Sequence, residues 1–128
     1  MIVELPPFGL GHPRTELRRQ LVAAVLAGEK TATAGLLEEY EADAERVPGP
    51  GDRFSLQDVD DQPVAVVEVT EARVVPAREI DIDFARAEGE GFESVEDWRA
   101  AHERFFGRPI DPDTQIVALR FRVVERSG

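Results

Sequence analysis

Leu17, Leu21, Val22, Val25 and Leu26 recur at helical spacing between Glu16 and Ala27, with polar residues on the intervening positions. That spacing lays one apolar stripe along a helix. Thr15 precedes it as a residue type that caps helix N-termini through its side-chain oxygen. Gly28 stands where a left-handed residue ends such a helix. A second helical stretch is expected from Leu36 to Arg46, with Leu36, Leu37, Tyr40 and Ala44 on one side. Pro48-Gly49-Pro50-Gly51 then interrupts the pattern. After it the period becomes two: Phe54 and Leu56 alternate with polar neighbours from Arg53 to Gln57, as in a half-buried strand.

Asp60-Asp61 marks a turn, and Pro63 to Val75 reads as one long β-branched strand. Its inward phase slips near Val66-Val67, as a bulge would cause. Asp81 to Glu88 predicts a short helix. Ser94, with Asp97 three residues on, resembles a capping box. The helix it opens carries Val95, Trp98, His102, Phe105 and Phe106 on one face, and Gly107 and Pro109 stop it. Thr114 to Val124 predicts a final strand, with Val117, Leu119, Phe121 and Val123 pointing one way and Arg120 and Arg122 the other. Pro6-Pro7-Phe8-Gly9-Leu10-Gly11 is an irregular lead-in. Two helices, strands, helices and a strand make an α+β chain, with the strands rolled into a small barrel and helices at its ends.

The 128 residues predict a single domain spanning 1–128, long enough to bury a core without staples. Cysteine is absent, so no disulfide or thiolate metal site can form. The opening Met-Ile-Val-Glu-Leu-Pro-Pro lacks the basic and apolar regions of a signal peptide. No apolar run approaches the length of a membrane span. The expectation is a soluble cytoplasmic protein.

Charge sharpens the picture. Fifteen Lys and Arg face 26 Asp and Glu, a formal net charge of -11. Nucleic acids are gripped through phosphate neutralisation and counterion release. This chain repels a polyanion unless its cations gather on one face, as Arg14, Arg18 and Arg19, or Arg120 and Arg122, would have to do. A small or weakly charged ligand is therefore favoured, and strong non-specific DNA binding is not expected.

Two segments carry candidate chemistry. Gly28-Glu29-Lys30-Thr31-Ala32-Thr33 puts an amine and two hydroxyls together just beyond a helix, and Ala87-Glu88-Gly89-Glu90-Gly91 sets carboxylates between glycines. A Lys, a Thr and a Glu that meet in a pocket suit hydrolysis; the same residues also suit a solvated turn and an acidic loop. With Gly51-Asp52 opening the β section, and Trp98-Arg99, His102 and Phe105-Phe106 on the later helix, these segments resemble the ASCH domain family from about Leu17 to Val124.

The resemblance implies a PUA-like β-barrel, a scaffold associated with RNA. It also implies an activity, since family members include amidohydrolases that remove the acetyl group from N4-acetylcytidine, and ribonucleases. In the amidohydrolases the catalytic set is a Lys, a Thr three residues later and the Glu ending Ala-Glu-x-Glu, which lands here on Lys30, Thr33 and Glu90. The chain departs from that branch at Gly35, where an Arg is usual, and from the longer branch at Phe92, where an Asp is usual.

On this assignment Thr33 is the nucleophile, Lys30 its base, and Glu90 a proton shuttle or a hydrogen-bond acceptor for the exocyclic nitrogen. An ordinary lysine is protonated near neutrality, so a lysine base demands desolvation, which a nearby Glu90 anion opposes. Otherwise Lys30 is an electrostatic clamp on the oxyanion, with water attacking.

Thr31, Glu88, Tyr40, Trp98 and His102 are the candidates for binding substrate. Trp98 and His102 lie on the apolar stripe, so core packing is the first reading of each, ahead of base stacking or ligand contact. His12 is expected to be exposed. Two separated histidines without cysteine do not predict a metal site or any cofactor. A ribonuclease would instead use a hard cation such as Mn²⁺ on Asp or Glu oxygens. These readings leave three functions: an amidohydrolase on a modified nucleoside; a non-catalytic RNA or nucleotide module, or a metal-assisted ribonuclease; and a small-molecule sensor or partner-binding protein.

Overall fold

The computed structural model describes residues 5–10 and 14–126; His12 lies outside them. Helix α1, Glu16–Leu26, begins at Thr15, whose hydroxyl accepts the Arg18 amide at 3.2 Å. It ends as expected, with Gly28 left-handed at φ +79°. The amides of Glu29 and Lys30 then fold back onto the Ala24 carbonyl at 2.9 and 3.1 Å, reversing the chain.

The next segment differs from the expectation. Ala32–Leu36 is a strand, β1, and helix α2 covers only Leu37–Ala42. Ala32-Thr33-Ala34-Gly35-Leu36 shows no clear alternation, so nothing local announces a strand. Its conformation is set by pairing along its whole length with a distant strand, from Ala32↔Arg120 to Leu36↔Ile116. Gly35 leaves room for the Tyr40 ring, because a Cβ there would stand 3.2 Å from Tyr40 Cε2. Past α2 the left-handed Ala44, φ +53°, prevents the helix from running on to Arg46.

Strands β2, Arg53–Gln57, β3, Pro63–Pro76, and β4, Gln115–Arg126, complete an antiparallel sheet of order β1-β4-β3-β2. The register slips between Val66 and Val67, where the phase change predicts it, and again between Val69 and Glu71. Each slip increases local bend and twist, and the sheet curls into a half-barrel. Two-sided burial defeats simple alternation in β4. Val117 and Leu119 pack toward Tyr40 and Val69, while Ile116 and Ala118 join the core under the later helices. A third cluster fixes α1 through Leu21, Val22 and Val25 against Phe8, Leu56, Val67 and Phe121. Among the described residues no helix is long and apolar enough to cross a membrane.

Beyond a 3₁₀ turn at Ala77–Glu79, helix α3, Ile82–Ala87, is capped by Asp81, whose carboxylate accepts the Phe84 amide at 2.8 Å. Helix α4, Val95–Phe106, starts at Ser94, whose hydroxyl accepts from Asp97 N at 3.0 Å, and stops at left-handed Gly107. Its stripe is only partly interior: Trp98 and His102 are buried, whereas Phe105 is 44% exposed.

Between α3 and α4 the loop from Ala87 to Gly91 lies against the segment leading into β1. Thr31 N donates to the Ala87 carbonyl at 2.7 Å. Gly89, at φ +72°, sits so close that a Cβ would come within 2.8 Å of Lys30 Cα and nearer still to the Glu29 carbonyl. Both the backbone angle and the lack of a side chain are required there. Gly28 needs only the angle, since nothing lies within 4 Å of its Cβ position. Gly89→Ala is therefore expected to destabilise the protein by roughly 2–4 kcal/mol, and Gly28→Ala by only about 1 kcal/mol. Urea denaturation of the two variants beside the parent measures the difference.

Candidate functional site

The turn after α1 delivers Lys30 to the interior, where it is 2% exposed. Its Nζ donates to the Ala32 carbonyl at 2.8 Å and the Glu88 carbonyl at 3.2 Å. Two carboxylates face the same nitrogen, Glu88 Oε1 at 3.7 Å and Glu90 Oε2 at 3.6 Å. Two donated hydrogen bonds and two opposing charges make the surroundings of an ammonium, with the electron pair of a free amine given no donor to meet.

Glu88, the C-cap of α3, is 1% exposed and is the hub of the cluster. The Trp98 indole N–H donates to its Oε2, and His102 Nε2 lies 3.2 Å from its Oε1. On the other side of the ring, His102 Nδ1 is 2.8 Å from the Trp98 carbonyl, one helical turn back. A carbonyl can only accept, so Nδ1 carries a proton; an ionised carboxylate at Nε2 then favours a second proton there. Burial pulls the His102 pKa down, yet the hydrogen bond and charge of Glu88, the Trp98 carbonyl and the Glu90 charge outweigh it and hold that pKa above its ordinary value. The ring stacks on Trp98 with centroids 4.4 Å apart. Lys30 and His102 as cations, with Glu88 and Glu90 as anions, sum to zero, which is how a buried cluster of charges is tolerated.

A cavity of about 220 Å³ opens onto this cluster. Lys30, Thr33, Glu88, Glu90 and His102 supply its polar wall; Leu10, Leu17, Leu21 and Phe105 supply the apolar one. A second cavity of about 210 Å³ shares Gly9, Thr33, Ala34 and Phe105 with it and is bounded by Tyr40, Glu39, Asp43 and Glu45. Burial first, then the charges of Glu45 and Glu39, push the Tyr40 pKa up, so its phenol remains a neutral hydrogen-bond donor. Thr33 thus stands where two hollows meet.

Of the residues singled out in the sequence, Lys30, Thr33, Glu88, Glu90 and His102 are brought together, and Tyr40 lies next door. Two are not on the cavity. Thr31 is exposed, and its hydroxyl turns to the Ala87 carbonyl at 3.4 Å. Trp98 is sealed in the core at 1% exposure, so no ligand can stack on it; its polar edge serves Glu88.

In both arginine groupings the guanidinium groups are paired with carboxylates. Arg14 and Arg18 both pair with Asp61, at 3.3 and 3.2 Å, and Arg18 is also buried against the Leu10 carbonyl. Arg19 pairs with Glu16, Arg120 with Glu71 at 3.2 Å, and Arg122 with Glu68 at 3.2 Å. Among the described residues no group of three or more His, Asp or Glu is arranged to hold a metal ion. Between Glu88 and Glu90 the place of a cation is taken by Lys30.

The comparisons with known proteins agree with this architecture. The ASCH domain family model matches residues 10–125. A crystal structure from Enterococcus faecalis, assigned to the DUF984 family, is 27% identical with a TM-score of 0.85, over 98% of this chain and 80% of that one. An ASCH domain crystal structure from Lactobacillus crispatus is 29% identical with a TM-score of 0.74, over 84% of this chain and 72% of that one. A Pyrococcus furiosus protein solved by NMR shares the fold at 20% identity and a TM-score of 0.51, over 82% of this chain and 90% of that one. No curated protein matches the sequence significantly. With its half-barrel, its flanking helices and a match over nearly the whole sequence, this chain belongs to the ASCH domain family.

Proposed function

We propose that the cavity is the active site of an amidohydrolase acting on a small, uncharged acylated amine of the N4-acetylcytidine type. One observation carries the reading: a buried Lys30 ammonium and the more open Glu90 carboxylate, 3.6 Å apart, share a small cavity with the Thr33 hydroxyl. Amide hydrolysis needs those three parts, namely a nucleophile, a proton acceptor and a fixed positive charge for the oxyanion.

The lysine then acts as the clamp and Glu90 as the base. Glu90 takes the proton as the Thr33 oxygen attacks the acyl carbon. Lys30 stabilises the resulting oxyanion without reorganising, because the surrounding carbonyls and Glu88 already hold it. The C–N bond breaks as Glu90 returns the proton to the departing nitrogen. Water, deprotonated by the same carboxylate, then attacks the acyl carbon, and the bond to the Thr33 oxygen breaks as Glu90 gives that oxygen the proton, freeing the acid.

Size and charge support a small substrate. About 220 Å³ is below the roughly 300–1,000 Å³ usual for drug-sized ligands. The adjoining hollow presents Glu39, Asp43 and Glu45, which repel a phosphate, and the arginines that would attract one are paired. The RNA-binding alternative therefore gains no support from either arginine grouping.

Release of cytidine from N4-acetylcytidine, followed by chromatography, tests the reading; a parent protein with no turnover eliminates it. Lys30→Met and Glu90→Gln are each expected to lower kcat/KM by about 100-fold or more. Thr33→Val should fall as far while Thr33→Ser keeps most activity; equal activity in Thr33→Val assigns the attack to water instead. The same modified base within single-stranded RNA should be processed at least about tenfold less efficiently than the free nucleoside at low salt, with the gap narrowing as salt screens the repulsion.

A further inference from the structure

Glu88 and His102 are buried, titratable and outside the three-residue chemistry above, and they are tied to it through Lys30. We propose that His102 is the positioning residue of this site: as an imidazolium it fixes the Glu88 carboxylate, and so leaves the Lys30 ammonium directed at Glu90 and the cavity. The kinetic consequence rests on the hydrolase reading; the geometry does not.

The hydrogen bonds of the ring fix where its protons can go. Nδ1 is committed to the Trp98 carbonyl at 2.8 Å, so only Nε2 can gain or lose a proton. Protonated, Nε2 donates to Glu88 Oε1 across 3.2 Å and cancels its charge. Deprotonated, it turns a lone pair toward that oxygen, and Glu88, 1% exposed, meets little water to relieve the repulsion. The carboxylate then has one strong partner left besides the Trp98 indole, namely Lys30 Nζ, already 3.7 Å from the same oxygen. Moving closer to Glu88 takes Nζ away from Glu90, 3.6 Å off on its cavity side. The proton on His102 thereby decides which carboxylate the lysine serves.

The groups around the ring show that few other charges intervene. Glu88 approaches from the end of α3 and Glu90 from the loop after it, with Lys30 beyond Glu88 on the segment before β1. On the remaining sides stand the Trp98, Phe92 and Phe106 rings, at centroid distances of 4.4, 5.9 and 5.8 Å. Losing the His102 proton leaves the cluster of Lys30, His102, Glu88 and Glu90 with a net negative charge. The folded-state pKa lies above the ordinary 6.5, with burial opposing and Glu88 prevailing. Such a group stabilises the fold fully below the unfolded value, and that stability is lost as pH rises through the folded value.

The experiment is an NMR titration of the His102 ring, told apart from His12 by its disappearance in His102→Gln, with the Lys30 Nζ resonance followed in the same samples. In the parent protein His102 is expected to titrate above 6.5, to fall in Glu88→Gln, and to move the Lys30 resonance as it titrates. Titration at or below the ordinary value, no response to Glu88→Gln, or a Lys30 resonance indifferent to His102 overturns the proposal, whether or not any amide is cleaved. Urea denaturation across pH should show the parent losing stability through the His102 midpoint and His102→Gln not doing so.

On N4-acetylcytidine, kcat should fall as pH climbs through that midpoint with KM little changed. In His102→Gln this limb should disappear and kcat drop on the order of tenfold to 100-fold, provided its circular dichroism matches the parent. Parental kcat and pH profile in that variant overturn the positioning role while leaving the hydrolase reading intact. No turnover by the parent sinks the hydrolase reading and leaves the resonance measurement to decide this one.

Discussion

An ammonium at 2% exposure can exist in this protein only because Glu88, itself at 1%, lies beside it. Removing two ions from water costs several kcal/mol each, and attraction offsets that cost only when every remaining proton and lone pair is met. Here each is. Lys30 reaches two carbonyls and two carboxylates; Glu88 receives an indole N–H and an imidazole nitrogen besides. The end of α1, the start of β1, the C-cap of α3 and the buried face of α4 must all be in place at once. The pair is thus the constraint under which those elements are assembled, and the cavity is the space left in front of it.

Much of the fold was legible because local chemistry and tertiary structure agree. Thr15, Asp81 and Ser94 cap the helices they introduce, and Gly28 and Gly107 are left-handed beyond two helix ends. The slip at Val66-Val67 is a bulge. Legibility failed at β1, which is small residues almost throughout and owes its strand conformation to β4, far along the chain. It failed in part at β4, where both faces are covered and hydrophobicity no longer reports direction.

The site was legible to a different depth. The Lys30 and Glu90 segments could be picked out and matched to a family, and they do converge. That Glu88 rather than Glu90 is the buried partner could not be read, because in Glu-Gly-Glu the inward residue depends on the left-handed Gly89 between them. Trp98 and His102 gave the only available signal of Glu88's role: two residues with polar edges, four apart, on an otherwise apolar stripe. The arginine pairings were not legible either, since Arg18 meets Asp61 and Arg122 meets Glu68, partners with no local mark in the sequence.

The contact between Thr31 and Ala87 joins positions 56 residues apart. Closing a chain segment of that length carries an entropy cost that must be met before the contact returns anything. Until then the Lys30 side chain has no carboxylate to greet it and keeps its shell of water. Its dehydration therefore waits on the closure that brings the two segments together, so the water-free interior is a product of long-range assembly and not of the local turn.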